Sequence, residues 1–246
     1  MTREERRAAL DAIADEIRVC ERCRLAQGRT QAVPGEGDPD TEVVFVGEGP
    51  GQQEDRHGRP FVGPAGGLLE GLLGSVGWKR QEVFITNVVK CRPPGNRDPE
   101  PDEIAACQPF LRRQLEVLDP ALVVTLGRFS LQAFMPGERI SRSHGTERTV
   151  DPASGARAAK AYALYHPAAA LRQASLKVTM QRDMAGVPDA LLRSRAARDA
   201  WGGVVAETPV VGTGREADRA DLASLVPEAS TSTDAAAGGD DQMGLF

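Results

Sequence analysis

The sequence predicts an α/β fold, a short parallel sheet covered by helices on both faces. Three observations predict it. Apolar runs of strand length alternate with longer segments of helical period. Each run stops at a glycine, an asparagine or a histidine. Polar residues collect at those stops, where open parallel sheets bind their ligands.

Thr2 and Glu5 have the spacing of a capping box, and Leu10, Ile13 and Ile17 then repeat at helical spacing up to Cys20. Residues 42–47, EVVFVG, read as a buried strand running into a glycine-rich turn. Gly66 to Val76 reads as a helix, and residues 82–86, EVFIT, as a second strand ending at Asn87. Asp98 or Asp102 is placed to cap a helix running to about Leu118. Residues 121–126, ALVVTL, make a third strand ending at Gly127, followed by a short helix. Residues 161–165, AYALY, make a fourth, ending at His166-Pro167. A last helix, broken near Gly186-Val187-Pro188, continues to about Trp201. After Val204 the composition shifts to Ala, Gly, Asp, Ser and Thr, as in disordered segments. The expected division is a domain at 1–203 and an acidic tail at 204–246.

The net charge of −5 is unevenly spread. Eight acids and two arginines fall in 204–246, so the tail carries −6 and residues 1–203 carry +1. Charge alone neither demands nor forbids nucleic acid. No apolar run reaches membrane-spanning length, and the charged start MTREERRAAL is not a signal peptide, so a cytoplasmic protein without membrane contact is expected. The four cysteines are Cys20, Cys23, Cys91 and Cys107. One tight C-x₂-C pair with a distant second pair suits a four-thiolate metal site, and in a reducing cytosol this is favoured over two disulfides. The spacing admits zinc or an iron–sulfur cluster.

Gly47-Glu48-Gly49-Pro50-Gly51 forms a tight loop at a strand end, where glycines let a ligand approach the main chain. It has neither the G-K-[ST] ending of a P-loop nor the G-x-G-x-x-G order of a dinucleotide site. Phe61, between Pro60 and Val62-Gly63 in a loop, is suited to stack on a flat ligand. The amide of Asn87 can accept from a uracil N3–H and donate to O4, whereas cytosine presents the opposite pattern. A neutral His166 can donate to a carbonyl oxygen and stabilise charge on a leaving base.

GEGPGQQEDRHGRPFVGPAG, TNVVKCRPPGNRDPEPDE and YHPAAALR, in that order and interleaved with the four cysteines, resemble the family 4 uracil-DNA glycosylases, the iron–sulfur branch of their superfamily. The resemblance covers roughly residues 14–185. It implies a three-layer α/β/α sandwich with a short, mostly parallel four-stranded sheet. It implies hydrolysis of the N-glycosidic bond of deoxyuridine in DNA, leaving an abasic site for base-excision repair. It also implies one [4Fe–4S] cluster on Cys20, Cys23, Cys91 and Cys107 that braces the fold without reacting.

By the same resemblance, Gly47, Glu48, Gly49 and Pro50 line the uracil pocket, with Glu48 beside the attacking water. Phe61 stacks on the flipped base, Asn87 reads its polar edge and His166 bonds O2 as the base leaves. Glu54 sits where the methyl of thymine would clash. Lys90, Arg92 and Arg97 meet phosphates. Leu171 or Arg172 enters the minor groove as a wedge. The chain departs from the best-known uracil glycosylases at Gly49, where they carry an aspartate, so the bond is expected to break largely by dissociation. His144 reads as a loop residue or backbone contact. The final residues Gln242, Met243, Leu245 and Phe246 resemble a sliding-clamp-binding peptide. Other readings of the same residues are a non-catalytic metal-containing DNA-binding module and a glycosylase for another deaminated base. A monomer is expected.

Overall fold

The computed structural model describes residues 1–156 and 158–205. Six strands form one sheet: β1 (Glu36–Gly37), β2 (Val43–Gly47), β3 (Phe84–Asn87), β4 (Leu122–Leu126), β5 (Glu147–Thr149) and β6 (Lys160–Leu164), in the order β1-β3-β2-β4-β6-β5. The four inner strands are parallel and the two edges antiparallel. The expected four strands are the inner four. Each edge strand has only two or three residues, all half-buried or exposed, so neither carries an apolar pattern.

Alternation along the inner strands divides the core in two. Val44, Val46 and Val123 face helices α1 (Arg3–Arg18), α5 (Pro101–Leu118) and α6 (Arg128–Phe134). Val43, Phe45, Leu122 and Val124 face α4 (Pro64–Ser75), α9 (Ala174–Ala185) and α10 (Val187–Val205). The short helices α2 (Leu25–Gly28), α3 (Gln52–His57), α7 (Ile140–Ser143) and α8 (Pro167–Arg172) complete the connections. The result is a three-layer α/β/α sandwich.

Local chemistry sets the helix ends. Thr2 Oγ1 accepts from Glu5 N, and the Glu5 carboxylate accepts from Thr2 N. Arg6 caps the other end of the same layer, donating to the carbonyls of Val117 and Leu118 at 2.7 Å each. Neither Asp98 nor Asp102 caps α5. Pro101 stands at its first position, and Glu103 reaches back to Glu100 N at 2.8 Å. Gly186 separates α9 from α10, where the break is expected.

Candidate active site

A cleft opens at the carboxyl ends of the parallel strands, where such sheets bind ligands. The turn after β2 supplies Glu48, Gly49, Pro50 and Gly51, β3 ends on Asn87, and β6 is followed by His166. Phe61 comes from the loop between α3 and α4. Gly47 and Asn87 are directly paired between β2 and β3. A Cβ on Gly47 would lie 2.4 Å from Asn87 Oδ1 and 2.6 Å from Phe61 Cζ. Only glycine lets these two side chains meet behind the pocket wall.

Asn87 is 1 % exposed, and its Oδ1 has no hydrogen-bond partner. A buried acceptor left unpaired costs about 1–3 kcal/mol, so the site is poised for an incoming N–H. Phe61 is buried beside it in the left-handed region, with φ of 49°. Its backbone is held there by Arg80, which donates to the carbonyls of Pro60 and Phe61 and pairs with Glu36. Gly66 packs against the same carbonyl; a Cβ there would fall 1.9 Å from Phe61 O.

The rings of Phe61 and His166 lie 5.8 Å apart and tilted by 30°. His166 Nδ1 accepts from Ala168 N at 3.1 Å, so in the neutral ring the proton is on Nε2. Burial pushes the His166 pKa down to about 4, partly offset by the Glu54 carboxylate. The ring is therefore neutral at physiological pH, with one N–H to give.

Burial pushes the Glu48 carboxyl up to about 7; Asp98 adds to the rise and Arg128 opposes it. Asp98 and Arg128 form an ion pair on the rim. Glu54 accepts from Gly51 N, Val62 N and Gly63 N at 2.8–3.1 Å, tying the glycine turn to the Phe61 loop. A side chain at position 49 would crowd Val89, whose Cγ2 lies 2.8 Å from where the Cβ would stand.

Outside the pocket, the expectations divide. Lys90 does not reach phosphates: it is 1 % exposed, and Nζ lies 2.5 Å from Thr86 Oγ1, 2.9 Å from Asn87 O and 2.7 Å from Gln114 Oε1. Burial pushes its ammonium down to about 7, with Cys107 acting in the opposite sense. Arg92 donates to Asn96 Oδ1, and Arg97 is bound to Glu103 and Asp98 O. Arg97 and Arg172 still line the cleft, and Leu171 stands 52 % exposed beside it. His144 makes a side-chain contact, with Nδ1 2.7 Å from Asp183 Oδ2 and its ring 4.8 Å from that of Tyr165.

Sequence reasoning missed Asp98, Arg128 and Arg80. Arg128 follows the strand end at Gly127, so the rule that found Asn87 and His166 also points to it. Asp98 and Arg80 carry no such mark.

All four cysteines line one cavity between α1, α5 and the segment after β3. Cys91 Sγ lies 3.2 Å from Arg29 Nη1, and Cys107 Sγ 3.2 Å from Lys90 N. Among the described residues no three His, Cys, Asp or Glu side chains converge to hold a single metal ion. The tail residues Gln242, Met243, Leu245 and Phe246 lie outside the described residues.

The sequence profile of the Uracil DNA glycosylase superfamily matches residues 34–185. The chain is 46% identical over 188 residues to the type-4 uracil-DNA glycosylase of Saccharolobus solfataricus, covering 74% of this chain and 86% of that protein. It is 45% identical over 181 residues to the type-4 uracil-DNA glycosylase of Sulfurisphaera tokodaii, covering 71% and 81%. With that of Archaeoglobus fulgidus it shares 44% over 180 residues, covering 71% and 89%.

Proposed function

The chain belongs to the Uracil DNA glycosylase superfamily, and from that premise we propose that it excises uracil from DNA by hydrolysis, leaving an abasic site for repair. The observation that carries the reading is the unpaired, buried Asn87 Oδ1. Uracil offers N3–H to that oxygen and O4 to the amide N–H. Cytosine offers an acceptor and a donor in reverse order, leaving the buried amide unpaired and repelled.

The base enters the cleft flipped from the duplex, at least cost from a U·G mismatch. Phe61 stacks on its face beside His166. As the N-glycosidic bond breaks, its electron pair passes to uracil, and negative charge spreads from N1 to O2. His166 Nε2–H meets that charge from a neutral ring, so no prior protonation is needed. With glycine at position 49, no carboxylate there activates water. An ionised Glu48 orients the water that adds to C1′ or balances the cationic sugar. Arg92, Arg97, Leu171 and Arg172 are assigned to DNA around the cleft.

The donor set suits an iron–sulfur cluster. A single zinc ion draws four sulfurs to about 3.8 Å of one another, given Zn–S bonds of about 2.3 Å. Here the thiols surround a cavity and receive N–H donors from Arg29 and Lys90. Cys20, Cys23, Cys91 and Cys107 would hold a [4Fe–4S] cluster, which supplies a covalent brace between α1, the segment after β3 and α5. We assign residues 1–203 to the glycosylase domain and 204–246 to a tail whose Gln242–Phe246 peptide binds a sliding clamp. The protein acts in the cytoplasm as a monomer; among the described residues no helix is long and apolar enough to cross a membrane.

Pure protein is incubated with a U·G duplex and a uracil-containing single strand, and abasic sites are cleaved with alkali. Strand scission at uracil is expected. Folded, metal-replete protein that produces none defeats the reading.

A further inference from the structure

A buried lysine between the cysteine cavity and the pocket has no part in the mechanism above. Lys90 Nζ has three acceptors, Thr86 Oγ1, Asn87 O and Gln114 Oε1, matching the three N–H groups of an ammonium. Gln114 and Thr86 each donate in turn to Pro34 O, so the network is anchored on a third segment of chain. The backbone of the same residue faces the cysteines: Lys90 N donates to Cys107 Sγ, and Lys90 O accepts from Val33 N at 2.7 Å. Cys91 follows directly.

The location explains the burial. Asn87 ends β3, and its carbonyl is held by a side chain three residues ahead. That carbonyl and the carboxamide hang from one Cα, so holding the first fixes the point from which the second projects. The carboxamide packs over Gly47 beside the Phe61 ring, where a Cβ on Gly47 would meet both.

We propose that Lys90 is a positioning residue for Asn87, linking the wall of the cysteine cavity to the group that reads uracil. The inference rests on the uracil-excision reading above. Lys90 touches neither substrate nor reacting atoms; it acts through Asn87.

A double-mutant cycle tests it. Lys90→Met keeps length and bulk and removes the donors. Its single-turnover excision rate is expected to fall about 10- to 100-fold, as misplacement of a binding group does. DNA affinity, iron content and visible absorption of the holoprotein should stay as in wild type. Made on an Asn87→Ala background, the same substitution should change the rate by less than about twofold, because the route through Asn87 is already cut.

Thr86→Val, which removes one acceptor and suits a strand, should show a smaller loss with the same non-additivity. It decides the matter alone if Lys90→Met does not fold. Additive effects overturn the proposal, as does weakened DNA binding at an unchanged rate, the mark of a phosphate contact. Loss of iron in step with loss of rate reduces Lys90 to a structural role and also overturns it. Wild-type protein inactive on uracil removes the reading beneath the proposal, and the proposal with it.

Discussion

The backbone N–H of Ala168 donates to His166 Nδ1 at 3.1 Å, which fixes the tautomer of the histidine that lines the cleft. Nδ1 is occupied as an acceptor, so Nε2 carries the proton, and burial keeps the ring neutral to about pH 4. Glu48 behaves oppositely: its carboxyl is raised to about 7, so it is mostly protonated below that pH and ionised above it. Ionisation of Glu48 should therefore raise the single-turnover rate as pH passes through about 7, with no inflection from His166 above pH 5. Glu48→Gln should abolish the rise. His166→Ala should lower the maximal rate about 100- to 1000-fold, as loss of one oxyanion donor does. Rates measured from pH 5 to 9 decide this; a profile in Glu48→Gln that still rises through pH 7 assigns the titration elsewhere.

Gly47 is a second point of control. An alanine methyl there would overlap Asn87 Oδ1 and Phe61 Cζ together, displacing both the group that reads the base and the group that stacks on it. Gly47→Ala is expected to cost about 100-fold in excision rate while binding of undamaged DNA stays unchanged. Equal rates for the two proteins would mean that neither side chain needs its observed position.

What the sequence reveals and conceals follows from the kind of pattern each residue sits in. The four inner strands are legible because each is a mainly apolar run closed by Gly47, Asn87, Gly127 or the His166 turn. The edge strands at Glu36 and Glu147 are not, because two or three half-exposed residues carry no period. Lys90 is the instructive miss. A lysine two residues before Arg92, leading into a segment rich in proline, reads as a solvated base, yet three acceptors from Thr86, Asn87 and Gln114 hold it buried. Two of those belong to neighbouring residues, but Gln114 lies in α5, and no local window contains that contact. The brace of Phe61 by Arg80 spans nineteen residues and is hidden for the same reason.

That brace carries the third prediction. Phe61 occupies a backbone region that costs a non-glycine residue about 1–2 kcal/mol, and the donors of Arg80 help hold it there. Arg80→Met should let the loop relax, leaving Glu36 with Arg59 alone. Because stacking is worth about 1–3 kcal/mol per base, KM for uracil-containing DNA should rise about tenfold, with kcat less affected. Steady-state kinetics on a short duplex measure both constants. A fall in kcat at constant KM would place Phe61 in the chemical step instead.

The proposed clamp-binding peptide makes a fourth. Deleting Gln242–Phe246 should abolish binding to the cognate sliding clamp in a pull-down or calorimetric titration. Excision from free oligonucleotides should be untouched, since the pocket lies wholly within residues 48–172. Unchanged clamp affinity removes the assignment.

The cysteine cavity makes the last. Burial pushes the Cys107 thiol up to about 11 and raises Cys91 as well, so apolar surroundings alone favour neutral thiols. A bound metal centre reverses that preference by taking the thiolates as ligands. Protein purified without oxygen should be coloured and carry about four irons per chain, as a Cys₄ [4Fe–4S] site requires. Cys107→Ser should lose iron and melt at lower temperature, because the tie between α5 and the segment carrying Cys91 is cut. Chelation of wild-type protein should reproduce that loss. Excision should then fail through unfolding of the Asn87–Lys90 segment and not through a missing reactant, so any iron-free molecules that remain folded should retain activity. A colourless, zinc-loaded protein of full stability would show that the cavity holds a different centre.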